Sequence, residues 1–340
     1  MNQFKRSEVE SGRRSYAARF ALNFSPLNRM NVDLKGVFVA GKFLRSIGVA
    51  LSAAFAPTLA LAAEGRPEPG EIGMQDSVTP IADSIHVFHN GILLWTAVLI
   101  SLLVLALLVV IIVRFNARAN PVPAKFTHNT LVEVIWTALP VIILVIIAIP
   151  SFAVLTDQMT IPDGQRKYLG SNIFSFGSVD VPAPGLTVKV TGSQWYWTYE
   201  YVDQQKSFDS NLLTEEERLA QTPVQPRLLA VNNMLVVPVN TTVRVEVTAA
   251  DVIHAFAVPS FGIITDAVPG RLNETWFNSR KEGVFYGQCR ELCGKDHAFM
   301  PIAVRVVSPE AFAAFMAALD GGSVADANAT LPPLTAAPAA

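Results

Sequence analysis

Two long apolar segments constrain the fold more than any other feature of the sequence. The ranges 92–113 and 134–155 contain no Asp, Glu, Lys or Arg. As helices, at about 1.5 Å per residue, each is long enough to cross a hydrocarbon core of about 30 Å. Pro140 and Pro150 fall in the second span, where a neighbouring helix can satisfy the freed carbonyls. The chain has 51% hydrophobic and 16% charged residues, which is too apolar for ordinary soluble domains. We therefore expect a hairpin of two transmembrane helices.

The charges between these spans predict their orientation. Arg114, Arg118 and Lys125 lie between them, and no acidic residue precedes Glu133 there. Because short cytoplasmic loops are enriched in Lys and Arg, this loop is expected in the cytoplasm. Both ends of the mature chain then lie on the outer side of the lipid bilayer.

The N-terminal region has the features of a secretory signal peptide. A basic segment at 42–45 precedes an apolar stretch at 47–61 that ends in small residues. Residues 1–63 are therefore interpreted as an N-terminal extension and signal peptide, cleaved near Ala62, with Met30 as an alternative start. A short membrane anchor is the other interpretation, but the Ala-rich stretch is too short to span a bilayer comfortably. A signal peptide favours a bacterial plasma membrane, with the outer domain in the periplasm.

The second half of the chain has the pattern of a β-domain. A polar connector at 157–184 is followed by short alternating or β-branched runs separated by turn residues, which predict a sandwich or barrel. The runs are 186–191, 195–201, 227–230, 234–239, 242–248, 255–258, 273–278, 283–289 and 302–307. A helix is predicted at 309–319. The Ala/Pro-rich range 321–340 has no periodicity and is predicted to be a disordered tail.

One short segment, residues 289–300, contains most of the candidate metal ligands. The only two cysteines, Cys289 and Cys293, lie there with His297 and Met300, and His254 lies upstream after a strand-like run. Thiolate, imidazole and thioether are the soft ligands that suit copper. A mononuclear site needs one thiolate, whereas two close thiolates can bridge two ions. With a backbone carbonyl completing the set, these side chains can hold two copper ions.

Other features of this segment bear on that interpretation. Glu291 lies between the cysteines, so its carbonyl can face inward and its carboxylate outward toward a hard cation. Two cysteines in an exported domain usually form a disulfide, but a disulfide needs neither His297 nor Met300. The net charge of −2 gives no indication of nucleic acid binding, and there is no Cys-x-x-Cys-His haem motif.

Three stretches resemble cytochrome c oxidase subunit 2 of the alphaproteobacterial and mitochondrial type. They are Gly-Gln-Cys-Arg-Glu-Leu-Cys-Gly at 287–294 with His-Ala-Phe-Met-Pro at 297–301, the stretch 254–271, and Gln-Trp-Tyr-Trp-Thr-Tyr-Glu-Tyr at 194–201. The resemblance covers about residues 80–318. Arg290 departs from the family, where many relatives carry Ser, but its side chain is not a ligand. The resemblance implies an α+β membrane protein, in which a two-helix hairpin (within 64–160) precedes a cupredoxin-like Greek-key barrel (within 161–320).

The resemblance also implies a dinuclear copper centre. Its residues would be His254, Cys289, Glu291, Cys293, His297 and Met300. The two cysteines would bridge the ions, His254 and Met300 would bind one of them, and His297 and the carbonyl of Glu291 the other. The Glu291 carboxylate would reach a magnesium ion shared with subunit 1.

Two further residues take roles from the resemblance. Trp195 would be the aromatic residue at which electrons arrive from cytochrome c, and Glu133 would stand at the entrance of a proton path into subunit 1. The implied function is to pass electrons from cytochrome c to haem in subunit 1, for oxygen reduction coupled to proton pumping. Subunit 3 is a further implied partner. Acidic residues could steer a basic cytochrome; the candidates are Glu200, Asp203, Asp209 and Asp251.

Three alternatives remain open at this point. A quinol oxidase subunit 2 has the same architecture without copper, and the full ligand set argues against it. The copper domain of a nitrous oxide reductase belongs to a soluble enzyme, and the two spans argue against it. A copper chaperone or store predicts exchangeable copper and no electron transfer from reduced cytochrome c.

Overall fold

A computed structural model describes residues 65–334, apart from 69, 123 and 175–176. The predicted signal peptide lies outside the described residues. The first segment, Pro80–Arg114, comprises helix α1 (Pro80–Phe88), a π-helical turn (His89–Leu93) and helix α2 (Leu94–Arg114); helix α3 is Thr130–Met159. Both segments are long and apolar enough to cross a membrane, in agreement with the predicted hairpin.

The first helical segment begins earlier than the apolar pattern indicates. Thr79 caps α1 by accepting a hydrogen bond from the Ala82 backbone N–H at 3.1 Å, and Pro80 occupies the first turn. Ile81 and Ala82 are buried, so α1 lies against the β-domain. The polar residues Asp83, Ser84 and His86 interrupt the apolar residues of α1, so the uncharged pattern of the span does not extend into it.

Twelve strands follow the hairpin in the described part of the chain. They are β1 (Lys167–Tyr168), β2 (Val179–Asp180), β3 (Leu186–Ser193), β4 (Tyr196–Tyr201), β5 (Lys206–Ser210), β6 (Leu235–Pro238), β7 (Thr242–Ala249), β8 (His254–Val258), β9 (Ile263–Ala267), β10 (Asn273–Asn278), β11 (Gly283–Gln288) and β12 (Pro301–Val307). Helix α4 (Glu215–Ala220) follows β5, and helices α5 (Pro309–Gly321) and α6 (Val324–Ala329) follow β12.

The strands form a five-stranded sheet in the order β10-β7-β3-β4-β5 and a three-stranded sheet in the order β11-β12-β6. β8 pairs with β9, and β1 with β2. The β3–β7 and β12–β6 pairs are parallel and the others antiparallel. Inward-facing residues alternate along β3 and β4, and Val188, Trp197 and Phe285 are among the fully buried core side chains. The fold is therefore the predicted α+β membrane architecture.

Two local predictions are wrong. The range 227–230 forms a turn rather than a strand, with Leu228 at φ 63°. The tail predicted to be disordered from residue 321 contains α6, which has a capping box formed by Ser323 and Asp326. Ala327 of α6 is buried and Leu331 packs against the core. A few apolar residues, among them Val324, Ala327 and Leu331, hold this segment against the core, although its sequence lacks a long periodic pattern.

A buried carboxylate joins the hairpin to the β-domain. Asp157, in the last turn of α3, accepts hydrogen bonds from Arg166 Nη2 at 2.8 Å and from the Leu169 backbone N–H at 2.7 Å. Trp276 of β10 donates through Nε1 to the Asp157 carbonyl at 2.9 Å. These contacts fix the outer end of α3 against the domain that carries the candidate site.

Candidate metal centre

The candidate site lies in the loop between β11 and β12. The two strands pair up to Gln288 and Pro301, and the Cys289 backbone N–H donates to the Met300 carbonyl at 3.3 Å, which closes the base of the loop. The Arg290 N–H donates to the Ala255 carbonyl at 3.2 Å. That bond ties the loop to β8, which begins at His254, and so brings the distant histidine to the cysteines.

The structure brings all six predicted ligands into one cluster. Cys289 Sγ and Cys293 Sγ lie 3.9 Å apart, and the carbonyl of Glu291 lies 3.2 Å from Cys289 Sγ. Cys293 Sγ lies 3.6 Å from His297 Nδ1 and 3.5 Å from Met300 Sδ. One ligand atom each of His254, Cys289 and Cys293 lies within 4.8 Å of the others. Glu291 itself is exposed.

The separation of the two sulfurs suits a shared metal. Metal–thiolate bonds of about 2.3 Å allow two sulfurs to bind the same ion when they lie within about 4.6 Å of each other. The observed 3.9 Å satisfies this limit, and both cysteines are free. Burial and the neighbouring Cys289 raise the pKa of the Cys293 thiol to about 12. Two adjacent buried thiolates therefore need a cation to offset their charge, which is the role a bound metal fills.

His254 has the geometry of a ligand. Its side chain is fully buried, its Nε2 lies 2.9 Å from Asp251 Oδ1, and its Nδ1 has no hydrogen-bond partner among the described residues. A buried polar atom without a partner is costly unless it binds something. A Cβ on Gly192 would lie 2.9 Å from His254 Cδ2, so only glycine there leaves room for the imidazole. The residues present thus fit a soft metal ion.

The cluster is shielded from water. Cys289 is 4% exposed, Cys293 3% and Met300 1%. His297, which is half-buried, occupies a short 3₁₀ turn at the edge of the cluster. The Phe299 N–H donates to the Asp296 carbonyl at 2.8 Å across that turn. Backbone hydrogen bonds therefore hold the turn that carries His297 at the edge of the buried cluster.

Trp195 reaches the cluster through a hydrogen bond. Its Nε1 donates to the Cys293 carbonyl at 3.2 Å, and Gln194 Nε2 donates to the same oxygen at 2.8 Å. Gly294 has φ 121°, and a Cβ there would lie 3.0 Å from Gln194 Nε2 and 3.1 Å from Trp195 Cζ2. Glycine at this position thus permits the close approach of the loop to both side chains.

Glu133 lies apart from this cluster, in the first turn of α3. Its Oε1 accepts a hydrogen bond from the Asn129 backbone N–H at 3.3 Å, while Asn129 Oδ1 accepts from the Val132 N–H at 3.2 Å. This reciprocal pair caps the helix. A structural role in capping therefore accompanies whatever other role Glu133 has.

The acidic candidates for cytochrome docking differ in their surroundings. Glu200 pairs with Lys189 at 3.4 Å, and Asp209 accepts from Thr198 Oγ1 at 2.7 Å. Asp203 is exposed.

Sequence reasoning missed the positioning role of Asp251, which it treated only as a docking acid. Its Oδ2 accepts from the Gln194 backbone N–H at 2.7 Å, in addition to the contact of Oδ1 with His254. Burial acts to raise the pKa of Asp251, but hydrogen bonds from His254, Gln194 and Val252 outweigh it and lower the pKa. The carboxylate three residues before the histidine was the available signal.

Asp251→Ala is expected to weaken copper retention by about tenfold or more, because outer-shell partners of a ligating histidine typically contribute about 10- to 100-fold in metal affinity. The measurement is the rate of copper loss to a chelator. Asp203→Ala is the matched control, since it removes a second acidic candidate for docking without touching a ligand. Equal copper loss in both variants would contradict the positioning role.

Comparisons with known proteins identify the family to which this chain is similar. The family described as cytochrome c oxidase subunit II, periplasmic domain, matches residues 186–307, and the corresponding transmembrane domain matches 67–154. The probable cytochrome c oxidase subunit 2 of Rickettsia bellii is 49% identical over 247 residues, which cover 72% of this chain and 83% of the relative. Cytochrome c oxidase subunit 2 of Cereibacter sphaeroides is 41% identical over 290 residues, which cover 81% of this chain and 89% of the relative.

A solved structure is also similar in sequence. The periplasmic domain of subunit II of cytochrome oxidase from Bradyrhizobium japonicum is 56% identical; it covers 42% of this chain and 97% of its own, with a TM-score of 0.38. The family normally binds copper, and the cluster of His254, Cys289 and Cys293 is consistent with that. Two membrane spans are followed by a periplasmic domain, as in bacterial relatives. The chain therefore belongs to the cytochrome c oxidase subunit II family.

Proposed function

We propose that this chain accepts electrons from cytochrome c at a dinuclear copper centre and passes them to haem in subunit 1. Oxygen reduction and proton pumping then belong to the complex, of which this chain is one subunit. One observation carries the proposal. Two buried sulfurs 3.9 Å apart are surrounded by two imidazoles, a thioether and a backbone carbonyl.

The donor set suggests how two copper ions would be held. Cys289 and Cys293 would bridge them, and His254 would bind one ion together with Met300, through the Nδ1 that has no partner in the described part of the chain. His297 and the carbonyl of Glu291 would bind the other ion. When bound, such a centre would share one unpaired electron between two ions. The charge on each ion would therefore change little when the centre accepts an electron. Weak thioether ligation at Met300 would tune the potential.

The protein's own residues prepare this site for rapid electron transfer. Asp251 orients His254, and the backbone bonds at the base of the loop hold the cysteines in place. Because the sulfurs are buried, little water has to reorganise when the charge of the site changes. Fixed ligands and a dry environment both favour one-electron transfer over substrate binding.

Trp195 is the residue that we propose receives electrons from cytochrome c. Its indole is half-buried at the surface, and its N–H contacts the carbonyl of Cys293 directly. A single hydrogen bond thus links the surface to a residue that bears a bridging sulfur. Lys295 Nζ lies 5.6 Å from the centre of the Trp195 ring, so the surface of this chain around Trp195 is not purely acidic.

The remaining roles concern the complex. The exposed carboxylate of Glu291 would bind magnesium at the contact with subunit 1, and Glu133 would stand at the entrance of a proton path into that subunit. The large apolar surfaces of α2 and α3 are exposed in the isolated chain. They would contact lipid and the partner subunits 1 and 3.

Removal of copper from this subunit in the purified complex is expected to stop oxidation of reduced cytochrome c, and reloading with copper to restore it. Stopped-flow absorbance of cytochrome c gives the rate. A small reductant that reduces haem directly serves as the control for the rest of the complex. Full oxidase activity in a complex whose subunit II lacks copper would instead favour a quinol oxidase.

A further inference from the structure

A cavity of about 520 Å³ lies on the β-domain, away from the ligand loop. Parts of the chain that are distant in sequence form its walls: Arg66, the range 223–226, the start of β11, the end of β12 and the range 332–334. A second cavity, of about 320 Å³, shares Gln225, Arg305 and Leu334 with the first. Volumes of this size are typical of sites for small molecules.

Arg305 is the residue common to both cavities that carries a charge. It lies on β12 opposite Val284 of β11, and its side chain is half-buried. Nη2 donates to the Pro332 carbonyl, and among the described residues no carboxylate lies within ion-pair distance of the guanidinium. A guanidinium has five N–H donors, so most of them remain available. Burial lowers the pKa of Arg305, which reflects the cost of holding this charge without a counter-ion.

Three other polar side chains of the cavity, those of Arg66, Gln225 and Tyr286, already have partners. Arg66 pairs with Glu68 at 2.7 Å. Tyr286 donates its hydroxyl proton to Gln225 Oε1 at 3.0 Å, and Gln225 Nε2 donates to the Pro223 carbonyl at 2.8 Å. Arg305 is therefore the cation of this cavity whose charge is not met by an acid in the described part of the chain.

The rest of the lining limits the kind of ligand. Val284, Val306 and Leu334 provide apolar surface, together with prolines on two sides. Glu282, the acid that also lines the cavity, is exposed and would disfavour a highly charged anion. A ligand that suits this lining has one anionic group and an apolar body.

We propose that this cavity binds a small organic anion, whose carboxylate or phosphate group takes the remaining N–H donors of Arg305 and whose apolar body lies against the valine and proline walls. Guanidinium groups bind both anions through paired, charge-assisted hydrogen bonds. The cavity lies at the Gly283–Val306 end of the β11–β12 pair, whereas the ligand loop lies at its Gln288–Pro301 end. The five residue steps from Met300 to Arg305 span roughly 17 Å along a strand. Binding is therefore separable from the copper site.

Fluorine NMR of the purified, copper-loaded complex tests this proposal. The probes are para-fluorophenylacetate and para-fluorobenzyl phosphate, with para-fluorobenzyl alcohol as the neutral control for partition into detergent. We expect saturable binding of at least one anionic probe with a dissociation constant below about 1 mM. The dissociation constants of the two anionic probes are then compared. Tighter binding of the phenylacetate indicates a carboxylate ligand, and tighter binding of the benzyl phosphate indicates a phosphate ligand.

Arg305→Gln should weaken binding of the anionic probe by at least about tenfold, because it removes the charge-assisted pair. Arg66→Gln, which removes a cation already paired with Glu68, should change it by less than about threefold. Copper content and cytochrome c oxidation report whether each variant complex is intact.

A second variant, Val224→Trp, tests the proposal if Arg305→Gln does not assemble. Val224 is an exposed residue of the lining, so tryptophan there should narrow the cavity and weaken binding of the anionic probe in an intact complex. Probe binding that is equal to that of the alcohol, or unchanged in both Arg305→Gln and Val224→Trp, would overturn the proposal.

Discussion

Cys293→Ser is expected to abolish the proposed dinuclear centre and to reduce oxidation of cytochrome c by the complex more than about 100-fold. Loss of an outer-shell partner alone typically costs about 10- to 100-fold, and this substitution removes a sulfur that both ions are proposed to share. The sulfur lies within 4 Å of Cys289 Sγ, His297 Nδ1 and Met300 Sδ, so its loss removes the donor atom that contacts the three others. Oxygen consumption with reduced cytochrome c measures the loss.

Ala298→Ser is the matched control, since it introduces the same hydroxyl into the same loop at an exposed position. It should retain copper and turnover close to those of the unmodified chain. Unfolding of the outer domain by heat should be compared in both variants, because the cluster is also part of the core. Full turnover in Cys293→Ser would show that the proposed bridging role is wrong.

Trp195→Phe is expected to slow electron arrival from cytochrome c by roughly 10- to 100-fold. The substitution removes the N–H that donates to the Cys293 carbonyl at 3.2 Å, and small losses of alignment between reacting groups have effects of about this size. Copper content should not change, because the indole is not a ligand. Stopped-flow mixing of reduced cytochrome c with the oxidised complex gives the rate directly.

The control for this variant is Tyr196→Phe, which alters the next aromatic residue of the same stretch and is also half-buried. It should leave the rate within about twofold of the original, since surface substitutions away from such contacts have small effects. If both variants slow the reaction equally, the cause is general disturbance of the docking surface rather than the path through Trp195.

The membrane hairpin and the main strands could be predicted because single, strong patterns encode them. Absence of charge over two long segments was sufficient for α2 and α3. A short run containing Thr, Trp and Phe was sufficient for β10, whose bounds of Asn273 and Asn278 agree with the predicted run. Helix α1 was not predicted, since it is only nine residues long and its polar residues Asp83, Ser84 and His86 set it apart from the uncharged span that follows.

Other elements had too little local pattern to be recognised. Strand β5 reads Lys-Ser-Phe-Asp-Ser, and its pairing with β4 rather than its composition makes it a strand. Helix α4 is short and depends on a capping box formed by Thr214 and Glu217. Such elements are determined by contacts between distant parts of the chain, which the local sequence does not contain.

The candidate site also has one part that local sequence predicts and one part that depends on contacts between distant segments. The proximity of Cys289, Cys293, His297 and Met300 follows from their spacing within one tight loop. The contact of Asp251 with Gln194 is different, because it joins loops that are far apart in sequence. Only the folded domain brings together the residues that position the candidate ligands, although the types of candidate ligand could be predicted from the sequence.

The most direct test of the dinuclear assignment is the electron paramagnetic resonance spectrum of the oxidised, copper-loaded subunit. An unpaired electron shared equally between two copper nuclei gives a seven-line hyperfine pattern, and this is the result that we predict. A four-line pattern, from an electron confined to a single copper nucleus, would contradict the proposal that Cys289 and Cys293 bridge two ions.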